Sequence, residues 1–153
     1  MKYWLFKSEP SHYGIDDLAR DGVTACTGVR NYQARNFMRD AMRPGDPGLF
    51  CHSSCSEPGI AGIVEVAAAA YPDATQFDRK SRYYDPGASR DAPRWLNVDV
   101  RFVSKTRVIG LAELRAHRAL RNMQLLQRGN RLSVTPVTEA EWNCILGLLD
   151  RKK

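Results

Sequence analysis

Arg30, Asn31, Tyr32, Gln33 and Arg35 crowd into one short run, entered by Gly28 and Val29. Two guanidiniums, two carboxamides and a phenol at this spacing suit a flat, anionic, hydrogen-bonding ligand. Arginine forks match phosphate and carbonyl edges. Tyrosine offers a stacking face, and Asn and Gln present donor and acceptor together, as base edges do. A solvated helix face could carry the same residues. What favours a site is the company of two other segments, Lys7-Ser8-Glu9-Pro10 and Gly129-Asn130-Arg131-Leu132-Ser133-Val134.

Lys7 could neutralise a phosphate, while Ser8 and an ionised Glu9 could bond a base edge, the carboxylate accepting from an exocyclic amine. The alternative is a turn in which Ser8 and Glu9 bond backbone amides. Gly129 permits close backbone approach. Asn130 could read a base edge, and Arg131 could hold either a phosphate or a carboxylate such as Asp99. Six aromatics, Trp4, Tyr32, Tyr71, Tyr83, Tyr84 and Trp95, are candidate walls for a flipped base. Core packing competes for them, most strongly at Trp4, which shares a strand face with Phe6. Cys51-His52-Ser53-Ser54-Cys55 invites a metal, but zinc prefers two spaced ligand pairs. Cys51 and His52 on one strand would point to opposite faces, and Cys26 and Cys144 have no paired spacing. No metal and no cofactor is expected; His52 and Ser53 read as polar groups of a pocket.

These groups must be carried by local structure. Residues 3–7 read as an aromatic-rich strand ending before Pro10, and 15–21 as a short helix stopped by Gly22. Residues 31–42 read as a second helix with Ala34, Phe37, Met38 and Ala41 as its apolar stripe. Its N-terminus is a possible seat for a phosphate. A turn cluster at 43–48 leads to a strand at 49–52, and 59–70 reads as a strand buried on both faces. Residues 71–93 form a long loop region, which is often functional. Residues 95–105 alternate as a half-buried strand, with Leu96, Val98, Val100 and Phe102 inward. A short helix at 111–117, a last strand at 132–137 and a helix opened by a Thr138…Glu141 capping box complete the chain. The stripe of that last helix is Trp142, Ile145, Leu146 and Leu149.

The 153 residues fit one domain spanning the whole chain, able to bury a core without disulfides or metal. Twenty-three basic against seventeen acidic residues leave a net charge of +6, which favours a polyanionic partner. No signal peptide and no apolar run of membrane-spanning length is visible. A monomer in the cytoplasm is expected, with access to the nucleoid in a bacterium or the nucleus in a eukaryote. The four cysteines are expected to be free thiols there. Scattered short helices and dominant strands suit an α+β fold around a small twisted or barrelled mixed sheet.

Read in order, Tyr3-Trp4-Leu5-Phe6-Lys7-Ser8-Glu9-Pro10, residues 28–37, His52-Ser53, Pro58-Gly59-Ile60 and Tyr71-Pro72-Asp73 resemble the EVE domain family of the PUA-like superfamily. Tyr83-Tyr84-Asp85-Pro86, Arg94-Trp95, Val98-Asp99-Val100 and residues 129–134 continue the resemblance, which spans nearly the whole chain. It implies a PUA-like mixed β pseudo-barrel of about five to six strands with short peripheral helices. It also implies a non-catalytic module that reads a modified base, such as a methylated or hydroxymethylated cytosine, in DNA or RNA. The implied ligand-binding set joins Lys7, Ser8 and Glu9 to Arg30, Asn31, Tyr32, Gln33 and Arg35. His52, Ser53, Tyr71, Asp73 and Trp95 belong to it as well, with Asn130, Arg131 and Ser133.

One departure from the family bears on that set. The tryptophan that usually precedes the Gly-Val-Arg-Asn run is replaced here, where the chain reads Thr24-Ala25-Cys26-Thr27. A cysteine wall is smaller and cannot stack, so the vacated space could suit a larger or differently modified base. Cys51 likewise replaces an aromatic before His52-Ser53. Two other classes compete: an amidohydrolase of the related ASCH type acting on acylated nucleosides, with Lys7 and Glu9 beside a Ser or Thr, and a generic RNA-binding domain without a base pocket.

Overall fold

The structure is a computed structural model and describes residues 2–127 and 132–150. In chain order the elements are β1 (Tyr3–Ser8), α1 (Ile15–Asp21), β2 (Val23–Ala25), α2 (Tyr32–Asn36), β3 (Pro47–His52) and β4 (Gly59–Val66). There follow β5 (Tyr71–Pro72), β6 (Leu96–Asn97), β7 (Asp99–Gly110), α3 (Leu111–Arg115), β8 (Val134–Val137) and α4 (Glu139–Asp150). Six strands form one sheet in the order β2-β7-β4-β3-β1-β8, and β5 pairs with β6 in a separate ribbon. Among these strands only β1 and β3 run parallel; their neighbours are antiparallel. Register shifts between Phe50 and Cys51, Ile60 and Gly62, and Ile63 and Val64 raise the local twist. The sheet curls into a half-barrel flanked by short helices, an α+β fold.

Strand alternation divides the core. Trp4 and Phe6 of β1 join Phe50, Val64 and Val100 on one face, where α1 contributes Ile15 and Leu18 and the α2 segment Ala34 and Met38. Leu5, Leu49, Cys51, Ile60 and Ile109 point to the other face, covered by Leu114 of α3, Leu120, and Trp142, Ile145 and Leu148 of α4. The period-two pattern thus serves two cores from one sheet. Gly62 leaves room for α1: a Cβ there would run into the Ile15 side chain and the Ser104 carbonyl.

The expected strand at 95–105 is divided in the structure. Leu96–Asn97 pairs with Tyr71–Pro72, while β7 turns to β2 and β4 from Asp99 onward and runs on to Gly110. Asn97, read as outward, is buried because that change of partner turns it inward. The expected helix at 31–42 is a short α-helix continued by a π turn at Phe37–Ala41. In α4, Leu148 is buried while Leu146 and Leu149 are partly covered.

The capping box is formed as expected: the Thr138 amide donates to Glu141 Oε1 at 2.9 Å, and the Glu141 amide donates to Thr138 Oγ1 at 3.1 Å. Thr138→Ala should lower stability by about 1 kcal/mol and Thr138→Ser should retain most of it, read as urea midpoints. An unchanged midpoint for the alanine variant would show that the box contributes nothing net.

His52 fastens α1 to the sheet, its Nε2 accepting the Ile15 amide at 3.0 Å. Burial holds its pKa below the ordinary histidine value, Lys105 acting with burial and Asp16 against it. The unfolded chain therefore binds the proton more readily. The stability linked to His52 is fully present above the ordinary value near 6.5 and is lost as pH falls through the folded value. The melting temperature should drop between about pH 7.5 and about pH 5.5, and drop less in His52→Gln, whose amide oxygen accepts without titrating. Equal drops in both proteins would remove His52 as the cause.

Candidate functional site

A cavity of about 670 Å³ opens at the C-terminal end of β1. Phe6, Lys7 and Ser8 of β1 line it, with Glu9, His12 and Tyr13 of the following turn. The segment from Thr24 to Val29 forms a second wall, Ser53 and Ser54 a third, and Arg82 with Tyr83 a fourth. Ser133 and Val134 close it beside β1. Backbone bonds hold these walls together: Ser53 N donates to Ser8 O at 3.0 Å and Lys7 N to Ser133 O at 2.8 Å. Phe6 lies on the strand face that Ser8 shares by period two, so an apolar ring adjoins the hydroxyl.

The opposing wall depends on Asp73, whose carboxylate is fully buried. It accepts the Gly28 amide at 2.8 Å, Arg30 Nη1 at 3.2 Å, and the Thr75 amide and hydroxyl at 2.8 and 2.6 Å. Burial pushes its pKa up, but the bonds from Thr75, Gly28 and Arg30 outweigh this and hold it below the usual carboxylate range. Arg30 then donates through Nε and Nη2 to the Tyr83 carbonyl at 3.1 and 2.7 Å. The Tyr83 ring is thereby laid on Gly28. A Cβ at Gly28 would sit 2.6–2.8 Å from three of its ring atoms, and the φ of +79° favours glycine independently.

The sequence-derived set divides in two. Lys7, Ser8, Glu9, Ser53 and Ser133 meet at the cavity. Arg30 and Asp73 build its wall from behind. Asn31 caps α2, its Oδ1 accepting Gln33 N and Ala34 N at 2.8 and 3.1 Å, so the helix uses the amides that a phosphate would have taken. Arg35 bonds the Arg94 carbonyl at 3.1 Å and Asn36 Oδ1 at 2.9 Å, over the Tyr32 ring. Tyr32 stacks on Trp95 at 4.9 Å, and Gln33 is exposed. Trp95 is buried and donates to Asp85 Oδ2 at 2.7 Å; Tyr71 donates to Asp99 Oδ1 at 2.6 Å. His52 supports α1. None of Asn31, Tyr32, Gln33, Arg35, His52, Tyr71 and Trp95 lines the cavity. Asn130 and Arg131 lie outside the described residues.

Sequence reasoning left Tyr83 undistinguished among six aromatics, and it missed Tyr13, Thr24, Thr27 and Arg82. The alternation of β1 is a signal that could have placed Phe6 with Ser8. No local signal marks Tyr83, because its position is set by Arg30, 53 residues earlier. Cys26, the residue that departs from the family pattern, stands in the cavity wall, and burial together with Asp99 pushes its thiol up to about 12. Burial likewise pushes Cys51 up to about 12. Among the described residues no three His, Cys, Asp or Glu side chains gather to hold a metal, and no helix is long and apolar enough to cross a membrane.

The polar groups of the cavity are largely oriented already. Ser8 Oγ donates to the Tyr13 carbonyl at 2.5 Å, Glu9 pairs with His12 Nδ1 at 3.0 Å, and the Tyr13 hydroxyl donates to Asp21 at 2.9 Å. Lys7 has no acidic partner among the described residues. A ring-lined cavity with fixed acceptors and such an ammonium can hold a planar polar ligand by stacking and edge bonds.

Residues 2–148 match the EVE domain family. Human thymocyte nuclear protein 1 is 45% identical over 170 aligned positions, which cover 98% of this chain and 75% of the human protein. A structure of human THYN1 protein in complex with 5-methylcytosine containing DNA superposes with a TM-score of 0.93 at 43% identity, covering 100% of both chains. A Pseudomonas syringae protein superposes with a TM-score of 0.92 at 48% identity, covering 95% of this chain and 98% of its own. The chain belongs to the EVE domain family, as a homologue of thymocyte nuclear protein 1 with the same PUA-like fold.

Proposed function

We propose that this domain binds DNA carrying a modified base, with a 5-modified cytosine as the leading candidate, and does so without turning it over. The observation that carries the reading is the 670 Å³ cavity, in which Phe6, Tyr13 and Tyr83 flank the oriented polar groups at the end of β1. A flipped base needs such rings for its faces and fixed donors and acceptors for its edge. The chain of the human relative crystallised with 5-methylcytosine DNA shares this fold throughout, which favours DNA over RNA.

In this reading the base slides against Tyr83, held in place by Arg30 and Asp73. Its edge meets Ser8, Glu9 and Ser53. Lys7 adds a positive charge within the cavity. Cys26 leaves more room than an aromatic would, so the pocket tolerates a substituent bulkier than methyl. Ser8 is a poor nucleophile here, since its proton is directed to the Tyr13 carbonyl. A thiol pushed up to about 12 is protonated at neutral pH.

Fluorescence polarisation against oligonucleotides bearing one 5-methylcytosine, 5-hydroxymethylcytosine, N6-methyladenine or no modification tests the reading, with DNA duplexes, DNA single strands and RNA in parallel. A modified DNA should bind most tightly. Tyr83→Ala should weaken binding of the modified DNA by a factor of about 5 to 150, for removal of one base–aromatic stack worth about 1–3 kcal/mol, and diminish the preference with it, while Tyr83→Phe keeps both. Equal binding across the panel, or an undiminished preference in Tyr83→Ala, would overturn the pocket. Consumption of a free N4-acylated cytidine would replace binding by catalysis.

A further inference from the structure

We infer that the turn at residues 78–84 is the phosphate grip of this cavity, with Arg79, Lys80 and Arg82 holding the backbone on either side of the nucleotide whose base enters. The inference rests on the proposed modified-base function for its ligand.

Among the described residues, the two arginines that look like phosphate forks in the sequence, Arg30 and Arg35, are engaged inside the fold. Arg30 donates to Asp73, Thr75 and the Val29 and Tyr83 carbonyls. Arg35 donates to the Arg94 carbonyl and Asn36, and Arg94 is held by Asp85 and the Gly87 carbonyl. Releasing any of them to a ligand would break bonds within the fold, and for Arg30 the bonds that hold Tyr83 in the cavity wall. The turn at 78–84 is the reverse case. Arg79, Lys80 and Arg82 are exposed and have no acidic partner among the described residues. Asp78, the one carboxylate on the turn, uses Oδ1 to accept the Lys80 amide at 2.9 Å.

The turn is also in the right place and is fixed there. Arg82 and Tyr83 line the cavity, and the Arg82 guanidinium lies 5.0 Å from the Tyr83 ring centre. The residue proposed to stack on the base and a cation proposed to hold its backbone are therefore sequence neighbours. The Ser81 amide donates to Asp78 O at 2.9 Å, the Tyr83 amide to Ser81 Oγ at 3.0 Å and the Tyr84 amide to Ser81 O at 3.1 Å. Arg30 fixes the Tyr83 carbonyl from within. The backbone is thus ordered before any ligand arrives, and only the three long side chains remain to be positioned.

A second group of cations without an acidic partner among the described residues provides a control matched in charge. Arg115, Arg118 and Arg121 are exposed, but their elements pack through Leu114 and Leu120 on the core opposite the one that Phe6, Val29 and Val134 of the cavity join. Removing three charges there changes net charge equally and leaves the cavity mouth untouched.

The test compares R79Q/K80Q/R82Q with R115Q/R118Q/R121Q, each titrated with modified and unmodified DNA over a salt series. Wild-type log affinity should fall steeply with log salt. The first triple should flatten that slope by about 2 to 3, near 0.9 for each duplex phosphate no longer neutralised. It should weaken both oligonucleotides by the same factor and leave the ratio between them intact. The second triple should keep the wild-type slope, and R79K/R82K, which preserves charge, should stay close to it. An unchanged slope in the first triple, or equal flattening in both, would overturn the grip. A wild type that binds every oligonucleotide equally would remove the modified-base reading, while a slope flattened only in the first triple would still uphold the grip. Absence of DNA binding by the wild type would overturn both.

Discussion

The buried carboxylate of Asp73 draws together two stretches of chain that no sheet bond connects. It takes the Gly28 amide from the segment after β2, the Arg30 guanidinium from the approach to α2, and the Thr75 amide and hydroxyl from the loop after β5. An ionised carboxylate with no exposure is tolerable only when donors surround it. Here four do. Through Arg30 the arrangement reaches Tyr83, and Tyr83 closes the cavity over Gly28. Taking one donor away leaves a buried charge short of partners, so this knot acts as a unit.

A companion network works in the same loop. Gln76 accepts the Arg94 and Trp95 amides through Oε1 and donates to the Asp73 and Trp95 carbonyls through Nε2. Asp85 accepts from Trp95 Nε1 and, with the Gly87 amide and Arg94 also present, is held below the usual carboxylate range. A long segment with little regular structure is thus ordered by side chains bonded to backbone. This is how a loop can present Arg82 and Tyr83 in one conformation, and it lowers the entropy that binding would otherwise have to overcome.

The longer strands and the capping box were legible in the sequence because each rests on local signals: the aromatic run at residues 3–7, the apolar run from residue 59, which stays a strand to Val66 and not to residue 70, and the Thr138…Glu141 spacing; the short β2 and β5 carry no such signal. That the end of β1 lines a cavity has a related reason, since polar residues following an aromatic strand mark where a sheet edge meets solvent. The bonds that engage Arg30, Asn31 and Arg35 within the fold were not legible, because a sequence displays a functional group without its partner. Asp73, Thr75 and the Tyr83 and Arg94 carbonyls, which occupy the two guanidiniums, lie 43 to 59 residues away. The split between β6 and β7 was hidden for the opposite reason. Both pieces keep one alternating pattern, and only the change of partner strand, which is a tertiary event, separates them.

The place of the cavity follows from the one parallel pair in the sheet. β1 and β3 run side by side, Ser8 level with His52, so both end at the same edge. The chain leaves β1 toward α1 on one face and leaves β3 by a turn that returns in β4. Two neighbouring strands that end together and depart in different directions open a crevice, the same geometric reason that ligands gather beyond the carboxyl ends of parallel strands. In an antiparallel pair one strand would begin where the other ended, and a hairpin could fill the gap. Here the gap is bounded by Ser53 and Ser54 on one side and by the Glu9–Tyr13 turn on another. It is closed by a loop that belongs to neither strand. The sheet therefore provides the opening and the polar floor, and the Asp73 knot brings the ring. The two are supplied independently, so the residues on the Tyr83 side can change what the pocket accepts without disturbing the strands that create it.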